Sequence, residues 1–260
     1  MLKTNRVKEK LRNGGICYGT MLRLVKDPGI IPLCASAGWD FVIFDTEHYD
    51  CDTETLSALA LTAKYEEMAF LVRVPDKFYH QMARVLDIGA EGLILPRVEN
   101  REVAEQIIEA TKYAPVGNRG ASISGNSTLY RHYEAEEFMN WSNSETLIVI
   151  QIESAEGVRN LDSILSVQGI DAVLVGPFDL STSLGIPGQV NHLLVDQACE
   201  KVIEACNQYG VAPGIHMSSL EGIEKWRSLG MRFLTYRYDA ALLLESSKSA
   251  LDRFHSTSEC

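Results

Sequence analysis

A chain of 260 residues with 35 acidic against 24 basic side chains and a formal net charge of −11 has no basic stripe to release counterions, which argues against nucleic acid or an anionic membrane as a partner. Its 46% apolar and 23% charged content is that of a water-soluble globular protein, no run approaches the ~20 apolar residues of a membrane span, and residues 1–13 are too charged for a signal core. Cys17, Cys34, Cys51, Cys199, Cys206 and Cys260 show no Cys-x-x-Cys pairing, which predicts buried free thiols and a cytoplasmic location.

Apolar runs and helical stretches alternate along the whole chain. The first predicted strand, 16–21, leads to a helix at 28–37. The second, 41–45, ends at Asp45 with Glu47 and His48 just beyond, before a helix at 53–65. The third, 69–74, carries Arg73 and precedes a helix at 78–88; the fourth, 92–96, precedes one at 101–113. A long polar, glycine-rich connection follows at 117–127, then 129–141 with a short helix, and is read as a lid or wall. The fifth strand, 147–152, runs out at Glu153 before a helix at 158–166. The sixth, 171–175, enters Gly176-Pro177-Phe178-Asp179 and a helix at 195–209. The seventh, 211–215, stops at His216 before a helix at 220–229, and the eighth, 232–236, precedes a final helix at 241–254.

Eight βα pairs predict an α/β fold, a TIM (β/α)8 barrel formed as a single domain over 1–260. The strands are continuous apolar runs, as a parallel sheet covered by helices requires. Helices stop at Gly38, Gly89, Gly169, Gly210 and Gly230, which suits left-handed caps. A doubly wound sheet is the rival, but no Gly-x-Gly-x-x-Gly or P-loop follows the first strand. If the strands are parallel, their carboxyl ends bring Asp45, His48, Arg73, Glu153 and Asp179 to one face.

Glu153 and Asp179 offer hard oxygens at neighbouring strand ends and suit Mg²⁺, Mn²⁺ or Co²⁺; each could instead cap the helix after it. Asp45 stands three residues before His48, near enough to orient an imidazole for proton transfer, while Glu47 between them could meet the metal site or a loop. Arg73 is expected to meet a carboxylate or developing enolate, or to pair with Asp45 or Glu47. Arg119 in the long loop is a second anion-binding candidate, and His216 a candidate for lining the pocket; His80, His132, His192 and His255 are expected at the surface. No lysine sits where a strand would project it into a barrel, so imine chemistry is not expected.

Segments 37–48, ending Asp45-Thr46-Glu47-His48, 112–120, ending Asn118-Arg119-Gly120, then Gln151-Ile152-Glu153 and Gly176-Pro177-Phe178-Asp179-Leu180-Ser181 closely resemble the HpcH/HpaI aldolase family, in order and over nearly the whole chain. The resemblance implies a class II pyruvate aldolase in which Glu153 and Asp179 hold the divalent metal and Gln151 contacts the substrate carboxylate or supports Glu153. It further implies that Arg73 stabilises the enolate oxygen, that Asp45 and His48 move the aldol proton, and that backbone N–H groups after Pro177 bind pyruvate. The small-molecule partners are then a 2-oxo acid and an aldehyde. Family members often form hexamers, or trimers of dimers, by exchanging C-terminal helices, which suits a homo-oligomer and the apolar stretch 240–244 here.

This sequence departs from that pattern at Phe178, Met21, Arg23 and Arg237, where small, aromatic, small and glycine residues are usual. These departures bear on the substrate more than on the reaction type. An oxaloacetate decarboxylase, a specialised biosynthetic carbon–carbon bond-forming enzyme and a non-catalytic metal- or oxo-acid-binding barrel are the other readings.

Overall fold

The computed structural model describes residues 2–257. Eight parallel strands close a barrel in chain order: β1 (Cys17–Leu22), β2 (Phe41–Asp45), β3 (Ala69–Arg73), β4 (Gly92–Leu95), β5 (Leu147–Ile152), β6 (Ala172–Val175), β7 (Gly214–Met217) and β8 (Phe233–Tyr238). Successive side chains alternate between the barrel axis and the helical layer. Phe41, Ile43, Leu71, Val149, Leu174 and Phe233 fill the inside, while Val42, Phe44, Val72, Ile150 and Val173 pack outward against helices. Both faces are buried, so the sequence shows continuous apolar runs. Gly19 makes room for this filling: a Cβ there would lie 2.3 Å from the Phe41 ring, which itself stacks on Phe233 at 4.4 Å.

The five glycines expected to cap helices all take left-handed φ, between 71° and 107°. The seventh strand begins later than expected, at Gly214, because Pro213 has no N–H for the ladder and only an isolated bridge joins Ala212 to Ala172. The helix expected at 158–166 is two short helices, Ala155–Arg159 and Leu161–Leu165, divided at Asn160. Asn160 Nδ2 donates to the Glu99 carbonyl at 2.7 Å, which holds the break. The long fourth connection contains the helix Ala135–Glu145.

One helix escaped the sequence reading. Arg6–Arg12 is capped by Asn5, whose side chain accepts from the Lys8 N–H, and buries Val7 and Leu11 under the amino ends of the strands. Only two apolar residues mark it, at i and i+4. Its Lys8 Nζ meets the Thr146 carbonyl at 2.8 Å and Asp171 at 2.9 Å, and Lys112 Nζ meets the same carbonyl at 3.0 Å. Burial, then the charge of Lys8, pushes Lys112 down to about 7. This is the range an imine-forming lysine needs, but Lys112 lies at the amino end, across the barrel from the polar strand ends.

Candidate active site

The alternation that fills the barrel also places the polar residues. Continuing each inward-facing series beyond the core leads to Arg23 just after β1, Asp45 on β2, Arg73 on β3, Gln151 on β5 and Glu153 just after it, Gly176 just after β6, His216 on β7 and Thr235 on β8. All stand at the carboxyl end, where barrel enzymes carry their chemistry. Asp45 and Arg73 are direct register partners across β2 and β3.

Asp45 is fully buried, and Arg73 grips it in a fork: Nε to Oδ1 at 2.9 Å and Nη2 to Oδ2 at 2.6 Å. Burial alone would raise the Asp45 carboxyl, but the hydrogen bonds and charge of Arg73, joined by the charge of Arg23, hold it below the usual carboxylate range. Arg73 Nη1 also lies 3.2 Å from Glu47 Oε2. The expected pairing of Asp45 with the His48 ring is corrected. Asp45 Oδ1 accepts from the backbone N–H groups of Glu47 (3.1 Å) and His48 (3.4 Å), fixing the loop. The His48 ring is half exposed, and its Nε2 lies 3.7 Å from Glu47 Oε2. Asp45 thus orients the histidine through its main chain, because its carboxylate is already taken by Arg73.

Glu153 is buried at the end of β5. Its Oε1 accepts from the Arg97 N–H at 3.0 Å, which Arg97 presents from a left-handed turn at φ 53°, and its Oε2 accepts from Gln151 Nε2. Burial, then the charges of Glu47 and Asp179, push its carboxyl up to about 7. Neither carboxylate caps a helix. Ser154 does that work for Ala155–Arg159 by accepting from the Gly157 N–H, which leaves Glu153 free. Asp179 lies in the first turn of the helix Pro177–Ser183, exposed and facing the same end of the barrel.

Gly176 and Pro177 are buried where β6 turns into that helix, and a Cβ on Gly176 would come within 2.8 Å of Glu153 Oε2. Phe178 is 64% exposed and stands beside Gly188, so it forms rim and does not narrow the pocket. Arg119 is a second correction. Its Nη2 is 2.6 Å from Asp87 at the end of the helix Tyr79–Asp87, and its guanidinium covers the Tyr113 ring at 4.7 Å. Its charge is met by Asp87, and it braces the long loop. Of the other histidines, His80, His132 and His255 are exposed, and His192 accepts from the Leu194 N–H at its helix start.

His216 Nδ1 lies 2.9 Å from Thr235 Oγ1 inside the mouth. Burial, then the charges of Arg23 and Arg73, lower its pKa to about 4. The folded protein therefore refuses a proton that the unfolded chain takes up below about pH 6.5, and stability should fall as pH drops from there toward 4. In EDTA, wild type should lose about 2 kcal/mol more than His216→Gln between pH 7 and 4.5, read from urea midpoints. Parallel pH profiles for the two proteins would show that the imidazole is not held neutral.

Two residues at the mouth were not read as functional from sequence alone. Arg23 was noted only as a departure, yet its Nε lies 3.0 Å from Asp45 Oδ2. Asp239, at the start of the last helix Asp239–Thr257, accepts from the N–H groups of Arg23 (3.2 Å), Leu24 (3.0 Å) and Val25 (2.7 Å). Its signal was an aspartate directly after a strand, the same signal that marked Asp45.

The sequence profile of the HpcH/HpaI aldolase/citrate lyase family matches residues 22–246. The chain is 33% identical over 254 residues to a hydroxypyruvate/pyruvate aldolase of Pseudomonas aeruginosa, covering 97% of this chain and 94% of that one. It is also 33% identical over 251 residues to a 4-hydroxy-2-oxo-heptane-1,7-dioate aldolase of Klebsiella pneumoniae, covering 96% and 94%. A crystal structure of an HpcH/HpaI aldolase from Desulfitobacterium hafniense DCB-2 superimposes with a TM-score of 0.91 at 36% identity, over 95% of each chain.

Proposed function

Because the chain belongs to the HpcH/HpaI aldolase/citrate lyase family and is a carbon–carbon lyase of the aldolase kind, we propose that it joins or separates a pyruvate-type enolate and a carbonyl acceptor at the mouth formed by Asp45, Arg73, Glu153 and Asp179. The observation that carries this reading is Glu153: a buried carboxylate crowded by two others, Glu47 and Asp179, and pushed to about 7. Such crowding is relieved by a cation.

The donor set fits a hard divalent ion. Glu153 and Asp179 supply oxygen donors, and Glu47 Oε2 and Gln151 Oε1 are buried without a hydrogen-bond partner among the described residues. Two carboxylates, Glu153 and Asp179, would hold the ion and leave positions for substrate. Mg²⁺, Mn²⁺ or Co²⁺ bound there supplies Lewis acidity toward the oxygens of a 2-oxo acid.

The chain's own groups do the rest. Gln151 Nε2 donates to Glu153, so Gln151 orients that carboxylate. Arg73 spends its Nε and one Nη2 hydrogen on Asp45 and turns Nη1 toward Glu47, and the second Nη2 hydrogen with the outer Nη1 hydrogen are donors for an enolate oxygen. First-turn N–H groups of Pro177–Ser183 face the substrate carboxylate. His48, on a loop pinned by Asp45 and exposed enough to meet an acceptor, carries the aldol proton.

Wild type should exchange the methyl protons of pyruvate with D2O only with a divalent ion present, stop in EDTA and recover with Mn²⁺. Borohydride with pyruvate should not inactivate it; stable inactivation with pyruvate fixed to a lysine would overturn the reading. His48→Ala should lower aldol cleavage about 100-fold while pyruvate binding, read by calorimetry, stays within a few-fold. Loss of pyruvate binding in that variant would make His48 a ligand and not a proton carrier.

The last helix leaves Leu243, Leu244, Leu251 and Phe254 more than half exposed, which supports a homo-oligomer, a hexamer or trimer of dimers, with that face covered. Light scattering should give a mass that is a multiple of the 28.9 kDa chain, and Leu243→Glu/Leu244→Glu should reduce it; a monomeric wild type would remove the assignment. Cys17, Cys34, Cys51, Cys199 and Cys206 are free, which supports a reducing cytoplasm, while Cys260 lies outside the described residues. No described helix is long and apolar enough to cross a membrane.

A further inference from the structure

We propose that Arg23 selects an acidic acceptor by taking a carboxylate on the carbonyl compound that meets the enolate; this rests on the aldolase reading above. Arg23 directly follows β1 on the inward-facing series and is held in place from three directions. Its guanidinium lies over two rings, 4.6 Å from the Tyr238 centroid and 5.2 Å from that of Tyr49, which restrict its movement. Its backbone is anchored by Asp239. Its side chain is 18% exposed, so the fork meets the mouth without being immersed in solvent.

Pairing with Asp45 accounts for only one edge of this guanidinium. Both Asp45 oxygens are already engaged by Arg73, and Oδ1 also accepts two backbone N–H groups. Arg23 Nε lies 3.0 Å from Oδ2 but makes no hydrogen bond there and has no other partner among the described residues. Its Nη2 faces only the Met21 sulfur at 3.7 Å, a weak acceptor. A half-buried, planar cation, ion-paired to Asp45 through Nε, is thus fixed in orientation with no oxygen acceptor on its Nη groups among the described residues, and a carboxylate matches that fork geometrically. A single guanidinium beside Asp45 and Glu47 suits a singly charged carboxylate better than a phosphate dianion.

Succinic semialdehyde and butyraldehyde differ only in a terminal carboxylate against a methyl, so their kcat/KM ratio reads this contact. Wild type should prefer the semialdehyde at least 10-fold. Arg23→Leu should lose at least ten times more on the semialdehyde than on butyraldehyde, within the roughly 10- to 100-fold expected for one charged hydrogen-bonding group. Arg23→Lys, which keeps the charge and guards against a folding defect, should fall between. Equal losses on both aldehydes would make Arg23 a positioning residue for Asp45, and a preference for glyceraldehyde 3-phosphate over both would assign it to phosphate; either overturns the proposal. Calorimetry of 4-hydroxybutyrate on the Mn²⁺- and pyruvate-loaded protein needs no turnover: its Kd should weaken at least 10-fold in Arg23→Leu, and an unchanged Kd would also overturn the proposal. Pyruvate proton exchange by wild type tests the lyase reading separately, so the two failures are distinguishable.

Discussion

Glu153→Ala is expected to abolish metal-dependent turnover, by at least about 1,000-fold, because it removes one of two carboxylates that would hold the ion; groups that merely orient a ligand typically cost about 10- to 100-fold. The remaining one, Asp179, is exposed and cannot hold a divalent ion against water alone. The same substitution should not unfold the protein in EDTA at pH 8. Burial and the charges of Glu47 and Asp179 disfavour ionised Glu153 there, so its removal relieves repulsion that offsets the lost contacts to Gln151 and the Arg97 N–H. Calorimetric titration with Mn²⁺ alongside urea unfolding separates the two effects. Binding of Mn²⁺ within a few-fold of wild type would show that the ion, if any, sits elsewhere.

Arg73→Lys should cost about 100- to 1,000-fold in kcat/KM although the charge is kept, since an ammonium cannot hold Asp45 in a fork and present further donors in the same plane. Asp45→Asn should be comparably severe. The neutral amide leaves two guanidinium groups, Arg73 and Arg23, without their shared counter-charge at a buried position, and breaking such a pair costs about 3–5 kcal/mol. The two variants part on stability: Asp45→Asn should lower the urea midpoint clearly, Arg73→Lys much less. If Arg73→Lys turned over within a few-fold of wild type, Arg73 would be scaffolding for Asp45 only.

The strand ends could be read from sequence because a barrel strand buried on both faces is a plain apolar run, and its first polar inward residue announces the mouth. Asp45, Arg73, Glu153 and the Gly176-Pro177 turn were found that way. What could not be read is whatever depends on a partner distant in sequence. Arg119 looked like an anion binder because nothing local shows that Asp87 waits 32 residues earlier to pair with it. His48 looked tied to the Asp45 carboxylate because three residues separate them, whereas the register of β2 against β3 gives that carboxylate to Arg73 first. Sequence alone leaves Glu153 as a rival cap for the next helix, a role that Ser154 fills. The N-terminal helix was missed because its two apolar residues gain their worth only from the barrel they close.

Asp239 begins the last helix and holds three consecutive N–H groups of the segment that carries Arg23. That helix also carries the large exposed apolar side chains of the chain's end. These bonds tie the start of the helix that would meet another subunit to the segment that frames the mouth, so a shift at the helix start should move Arg23 with it. Selectivity between acceptors should then vary with protein concentration across the range where subunits dissociate, while the exchange of pyruvate protons, which does not involve the acceptor, should vary much less.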